Sequence, residues 1–261
     1  MSRPVLAALL LLCLPSWSFA QQGEQPKAQV QDPEAAYQEL ARGLQKAIEE
    51  WRADAKKKAE QAQKSGAPMV AMSMRPPTAE FVAKAQQLAA QFAGQDAAIP
   101  FLTFVCKNAT SERDAVKQAL QTLTKDHSES PQIVAVLPFL EMAAVRFNAF
   151  ADVRKLLDEV VVGTALVDVK AQALIARGTL RLMTAANDED RAAAKADLKA
   201  VAELTENADL LGEAAGVLFE LENLQVGCKA PDIVAKDTEG VEFKLSDYRG
   251  KVILLDFWGF W

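Results

Sequence analysis

The sequence VILLDFWGFW, residues 252–261, decides how the C-terminal part of this chain is interpreted. Its four consecutive aliphatic residues are typical of a parallel strand that is covered on both faces. The acid that follows them, Asp256, would be desolvated inside such a strand, which costs free energy unless a hydrogen bond or a function requires it. Aromatic residues then surround Gly259. We therefore predict a buried strand that leads directly into a functional loop.

A β-hairpin is predicted to precede this strand. Residues 233–236 and 241–244 are short β-prone segments, and the second alternates as a half-buried strand does. The DTEG sequence between them, residues 237–240, predicts a turn with glycine at the position of positive φ. Residues 245–250 predict a short helical turn that Ser246 caps. Together these elements predict the opening of an α/β unit.

Residues 33–224 predict an all-α domain of about eight helices with short connections. The first helix has one apolar stripe at helical spacing, formed by Tyr37, Leu40, Leu44, Ala47 and Trp51. Thr78 and Ser111 are predicted to begin later helices, and further helices are predicted at about 132–147, 150–161, 165–185, 188–204 and 208–224. Side-by-side helical hairpins would bury these stripes, as in a bundle or a solenoid. The sequence shows no fixed repeat period, so it does not distinguish a bundle from a solenoid.

The N-terminus predicts export. Residues 1–20 have the pattern of a signal peptide, with a basic start at Arg3, an apolar stretch of about ten residues and a small-x-small cleavage site that ends at Ala20. Residues 21–32 are polar and predict a flexible linker. The alternative is a lipoprotein signal with a lipid on Cys13, although the bulky Leu12 precedes it. We expect a periplasmic or extracytoplasmic protein and leave membrane association open.

Composition excludes several classes of function. The net charge of −6 supplies no basic stripe for nucleic acid, so no nucleic-acid partner is expected. The single histidine, His127, lies in a polar turn and is expected to be a solvated side chain. No His/Cys cluster has metal-site spacing, so no metal and no cofactor are expected.

Two cysteines, Cys106 and Cys228, remain once the predicted leader is removed. Cys106 lies in an apolar stretch, which predicts a buried, inert thiol. An oxidising compartment would permit a bridge between the two residues. We expect no such bridge, because they belong to different predicted domains.

Four motifs near the C-terminus resemble the thioredoxin superfamily, in its TlpA-like and redoxin branch. In chain order they are VGCKAPD at 226–232, DTEG at 237–240, LSDYRGK at 245–251 and LDFW at 255–258. The resemblance covers residues 225–261 alone. It implies that residues 225–261 are the first hairpin and strand of an incomplete thioredoxin-like α/β domain. With the all-α helical-hairpin domain predicted for residues 33–224, the chain is expected to be mainly α.

The resemblance implies thiol–disulfide exchange with protein thiols and disulfides as partners. Reductase-like members have F-W-x-x-W-C-x-x-C after this strand, and residues 257–261 match the first five positions of that pattern. Redoxin-type antioxidant peroxidases instead carry a proline-containing loop with one peroxidatic cysteine, which is the first alternative. The second alternative is a non-enzymatic protein whose helical domain is an interaction surface and whose thioredoxin-like part is structural.

The resemblance also assigns roles to three residues. Asp256 matches the acid beneath the cysteine pair, where it would accept and return a proton. Trp258 and Trp261 would flank the nucleophilic cysteine. Cys228 matches no family position and is expected to be incidental.

The catalytic cysteine pair itself is expected immediately after Trp261. The given chain is therefore expected to be an inactive portion of the enzyme. It is either a truncated copy or one that is followed by UGA read as selenocysteine.

Overall fold

The computed structural model describes residues 32–65 and 75–256, and this part of the chain is mainly helical, as the sequence predicts. It contains the helices α1 (Pro33–Ser65), α2 (Ala79–Gln91), α3 (Ile99–Asn108), α4 (Arg113–Asp126), α5 (Leu137–Phe147), α6 (Phe150–Gly163), α7 (Val167–Thr184), α8 (Asp188–Leu204) and α9 (Ala208–Asn223). The strands β1 (Val234–Lys236) and β2 (Glu242–Lys244) follow. No helix in the described ranges is both long and apolar enough to cross a lipid bilayer.

Asparagine caps fix the starts of α8 and α9 where the sequence predicts them. The side chain of Asn187 accepts a hydrogen bond from the backbone N–H of Asp190 at 2.9 Å. The side chain of Asn207 accepts one from the N–H of Asp209 at 3.1 Å. Each bond satisfies one of the N–H groups that a helix leaves unpaired at its first turn.

Of the two helix starts predicted at Thr78 and Ser111, one needs correction. Thr78 stands at the N-cap of α2, as predicted, although its hydroxyl is hydrogen-bonded to the Thr110 hydroxyl at 2.9 Å and caps no helical N–H. Helix α4 begins at Arg113 and not at Ser111, because the Glu112 carboxylate accepts hydrogen bonds from the N–H groups of Thr110 and Ser111. In both places a hydrogen bond within or across the loop competes with helix capping.

One continuous apolar core joins α1 to α9 and extends from Ala36 to Ala214. Aromatic contacts connect its N-terminal layer: the rings of Phe92 and Phe101 are stacked with centroids 5.7 Å apart, and Tyr37 meets Phe101 edge-on at 6.0 Å. Such pairs stabilise a core beyond the apolar area they bury. They attach α1 to α3.

A cluster of charges lies where α6, α7 and α8 meet. Arg177 on α7 donates two hydrogen bonds to the buried Asp197 on α8, at 2.7 and 2.9 Å, and a third to Asp158 on α6 at 2.9 Å. Arg181 donates to the same Asp197 at 2.8 Å. Because a buried carboxylate is costly unless it is paired, this geometry fixes the register of α7 against α8.

The segment after α9 contributes nothing to the core, since no residue from 225 to 256 is buried. The buried strand predicted over residues 252–256 is not observed: Val252 and Leu254 are 102% and 94% exposed, and these residues form no strand. A strand is defined by hydrogen bonds to a partner, and the described residues supply none beside it. The predicted domain division at residue 225 stays a prediction.

Helices α7 and α8 pack closely against each other at Gly178. A Cβ added there would lie 2.9 Å from Leu198 Cγ and 3.2 Å from the Ala194 carbonyl oxygen. Gly216 on α9 is also in a helix interior, but a Cβ added there meets no atom within 4 Å. The two glycines therefore offer a matched test of helix packing.

We expect Gly178→Ala to lower the free energy of unfolding by about 1–3 kcal/mol, because overpacking outweighs the better helix propensity of alanine. Gly216→Ala should raise it by up to about 1 kcal/mol, since only propensity changes. Urea denaturation followed by circular dichroism measures both. Stabilisation by Gly178→Ala would contradict the close packing of α7 on α8.

Candidate functional site

The predicted β-hairpin is present and lies at the C-terminal end of the described chain. β1 and β2 are antiparallel, with Val234 opposite Lys244 and Lys236 opposite Glu242. Each strand is one residue shorter at its start than the sequence predicts. The ring of Phe243 meets that of Tyr248 edge-on, with centroids 6.3 Å apart.

Asp237 forms the turn of this hairpin. Its Oδ1 accepts hydrogen bonds from the backbone N–H groups of Glu239 and Val241, at 2.9 and 2.8 Å. Gly240 has a φ of +83°, which disfavours residues with a Cβ. The spacing of aspartate and glycine in DTEG therefore has a physical reason in the turn itself.

Asp232 fastens the chain before β1 to the chain after β2. Its Oδ1 accepts a hydrogen bond from the Ser246 N–H at 2.8 Å, and its Oδ2 accepts one from the Ser246 hydroxyl at 2.7 Å. These bonds hold the pKa of the Asp232 carboxyl below its ordinary value of 3.8. We call this pair the Asp232–Ser246 clamp.

The predicted cap at Ser246 needs correction. The 3₁₀ helix Leu245–Tyr248 is present, but Ser246 bonds to Asp232 instead of capping it. Asp247 supplies the cap, because its Oδ2 accepts a hydrogen bond from the N–H of Lys244 at 2.9 Å. The sequence identified Asp232, Asp237 and Asp247 as family positions without giving their role, although an aspartate before or within a turn is a known signal for such bonds.

Of the three predicted site residues, Asp256 alone lies among the described residues. Asp256 is exposed, so the burial that motivated its role as a proton acceptor is not observed among the described residues. Trp258 and Trp261 lie outside the described residues. The assignment of these three residues to an active site stays a prediction.

The two described cysteines are both free and unpaired. Cys106 is buried in α3, and burial raises the pKa of its thiol to about 12. It is therefore a neutral thiol near pH 7 and a poor nucleophile, as expected of an inert core cysteine. Cys228 is exposed, and its Sγ lies 3.6 Å from the carbonyl oxygen of Glu222.

The expectation that His127 is solvated is wrong. Its side chain is buried at the end of α4, with Nδ1 3.7 Å from Asp96 Oδ1, and Nε2 has no hydrogen-bond partner among the described residues. The polar neighbours in the sequence gave no sign of this burial, which results from packing against the segment before α3. Within residues 32–65 and 75–256, no group of three or more His, Cys, Asp or Glu side chains is placed to hold a metal ion.

Short segments of known proteins are similar to this chain. The thiol-disulfide oxidoreductase ResA of Geobacillus thermodenitrificans (strain NG80-2) is 49% identical over 47 residues, which are 18% of this chain and 27% of that protein. ResA of Geobacillus kaustophilus (strain HTA426) is 58% identical over 36 residues, 14% of this chain and 21% of that protein. ResA of Bacillus subtilis (strain 168) is 45% identical over 40 residues, 15% of this chain and 22% of that protein.

The chain thus spans about a quarter of the length of the curated relatives it matches. No family model matches the chain, and no solved structure shows a significant match. The partial matches support a relation to the thioredoxin-like redox proteins.

The Asp232–Ser246 clamp should protect the Ser246 N–H from hydrogen exchange. Asp232→Ala removes both acceptors, so the Ser246 N–H should lose its protection from hydrogen exchange, as measured by NMR in D₂O. Glu239→Ala changes an exposed turn residue that contributes only its backbone N–H, and should leave this protection intact. Unchanged protection in Asp232→Ala would contradict the clamp.

The clamp should also depend on pH. A carboxylate whose pKa is lower in the folded state stabilises that state above the unfolded pKa, and loses this effect as the pH falls through the folded value. For Asp232 the protection of Ser246 should therefore be constant above about pH 4 and fall in more acidic solution. A protection factor that stays constant down to full protonation of Asp232 would contradict this.

Proposed function

We propose that this chain is part of an exported thiol–disulfide oxidoreductase with a thioredoxin-like domain. The partial identity to several ResA thiol-disulfide oxidoreductases carries the proposal. The motif-bearing segment, residues 225–261, is similar in length to the 36 to 47 residues that those proteins match. Its substrates would be disulfides and thiols of other proteins. The signal-peptide pattern of residues 1–20 supports a periplasmic or extracytoplasmic location.

The chemistry of the described thiols supports a nucleophile that follows Trp261. Thiol–disulfide exchange requires an accessible thiolate. Cys106 is buried with a thiol pKa of about 12, so it cannot serve. Cys228 is exposed, but it forms no disulfide with Cys106, the other described cysteine. It therefore has no resolving thiol among the described residues. A C-x-x-C pair directly after Trp261 would supply both the attacking and the resolving thiol.

In the proposed reaction the first thiolate attacks one sulfur of a substrate disulfide, and the second substrate sulfur leaves as a thiolate. The resolving thiol then gives up its proton and attacks the mixed disulfide. The substrate is reduced to two thiols, and the cysteine pair is oxidised to a disulfide that an external dithiol must reduce. Asp256 would accept the proton of the resolving thiol. This role requires that Asp256 become buried in the complete domain, where its pKa would rise.

The hairpin gives this proposal a structural basis. Asp237 stabilises its turn, Asp232 joins its two ends, and Asp247 caps the 3₁₀ helix that follows. The chain that leads into residues 252–256 therefore has a defined conformation. The segment there exposes the aliphatic side chains of residues 252–255. Added strands and helices of a complete α/β domain would cover these side chains. The helical domain, residues 33–224, would then be an N-terminal extension of the enzyme.

The test is insulin reduction by the complete gene product, with dithiothreitol as the external dithiol. We expect the protein to accelerate precipitation of the insulin B chain, and Asp256→Asn to slow it because the proton acceptor is lost. Cys228→Ser is the matched control and should react at the wild-type rate. Absence of any acceleration would overturn the proposal. Consumption of hydrogen peroxide with no insulin reduction would point to a redoxin-type peroxidase.

A further inference from the structure

A groove of about 640 Å³ separates the C-terminal end of α9 from the hairpin unit. Phe219 and Asn223 of α9 form one wall. The other wall consists of the chain before β1, residues 229–232, and the chain after β2, residues 245–253. The Asp232–Ser246 clamp joins the two parts of this second wall. We call this feature the α9–hairpin groove.

Three cations line the groove: Lys229, Arg249 and Lys251. All three residues are exposed, and none of their charged groups forms an ion pair or a hydrogen bond within the described part of the chain. Lys251 Nζ lies 5.9 Å above the centre of the Tyr248 ring, a contact that leaves its hydrogen atoms free to donate.

One carboxylate, that of Asp232, also lines the groove. Both of its oxygens already accept hydrogen bonds from Ser246, so it is not directed at the cations. The groove therefore has an excess of positive charge in a protein whose net charge is −6. A local field of this sign attracts anionic groups.

Apolar side chains also line the groove. Phe219 and Tyr248 are exposed by 48% and 42%, and Pro231 lines the groove as well. We call these three side chains the apolar lining and the three cations the charged rim. Apolar side chains beside charged ones are typical of a surface that binds another protein segment. An inorganic anion would pair with the charged rim and leave the apolar lining in water.

The backbone at the groove favours an extended ligand. The N–H groups of Lys229 and Ala230 donate no hydrogen bond within the described chain, and neither residue belongs to a helix or a strand. Peptides that bind in extended form obtain affinity from such free main-chain groups and specificity from side-chain contacts.

We propose that the α9–hairpin groove binds an acidic peptide segment of a partner protein, in which Asp or Glu residues alternate with apolar residues. The acidic side chains meet Lys229, Arg249 and Lys251, and the apolar ones cover Phe219 and Tyr248. The proposal is independent of the redox activity, because it uses none of the residues assigned to thiol–disulfide exchange.

The test uses fluorescence anisotropy with a fluorescein-labelled peptide of alternating Glu and Val residues. The protein is the chain described here, as wild type and as the groove variant Lys229→Gln/Arg249→Gln/Lys251→Gln. The matched control is Lys56→Gln/Lys57→Gln/Lys155→Gln, which removes the same number of exposed cations from α1 and α6. Circular dichroism establishes that both variants are folded.

We expect the groove variant to bind the peptide at least about tenfold more weakly than wild type, while the control variant keeps wild-type affinity. Binding should weaken as sodium chloride is added, since the contacts at the rim are exposed to solvent. A peptide with Lys in place of Glu should not bind. A peptide with Ser in place of Val should bind more weakly, because the apolar lining then stays uncovered.

Equal loss in the two variants would show a general charge effect and overturn the site. Equal affinity of the Ser-containing peptide, or of inorganic tripolyphosphate, would reduce the groove to a nonspecific anion surface and overturn the peptide assignment. Failure of wild type to bind the Glu–Val peptide at all would overturn the whole inference.

Discussion

The hydrophobic core ends at Ala214, and this limit divides the described molecule into two kinds of structure. Up to that point, helices are held by buried side chains, by the close contact at Gly178 and by the pairing of Asp197 with Arg177 and Arg181. From residue 225 to residue 256 no side chain is buried, so the conformation depends on the pairing of β1 with β2 and on hydrogen bonds that backbone N–H groups donate to carboxylates. The hairpin segment is therefore ordered by hydrogen bonds, while its apolar side chains remain partly or fully exposed to solvent.

The sequence predicted most of the helical part because periodic burial and local caps act over a few residues. Asn187 and Asn207 gave correct helix starts, since an asparagine cap needs only the N–H groups beside it. Thr78 and His127 were misjudged because their environments come from distant segments: Thr110 binds the threonine, and the packing beside Asp96 encloses the histidine. Such tertiary contacts leave no periodic signal in the sequence.

In the candidate site the sequence predicted where the hairpin lies better than which hydrogen bonds its residues form. The hairpin and its turn appear where expected, and Asp237 explains the turn through bonds to two backbone N–H groups. Ser246 was expected to cap a helix and instead closes the hairpin through Asp232. The strand expected at residues 252–256 depends on partners that a local pattern cannot supply. The described thiols form no reactive pair, since Cys106 is buried and Cys228 is exposed and unpaired.

We propose that the redox centre follows Trp261 and that neither the helical domain nor the α9–hairpin groove takes part in thiol–disulfide exchange. The measurement that tests this most directly is the nucleotide sequence that follows the Trp261 codon in the source genome. We predict a Cys-x-x-Cys motif immediately after Trp261, or UGA in place of the first cysteine codon with the second cysteine retained. A continuation without that resolving cysteine, or with a single cysteine in a proline-containing loop, would contradict it.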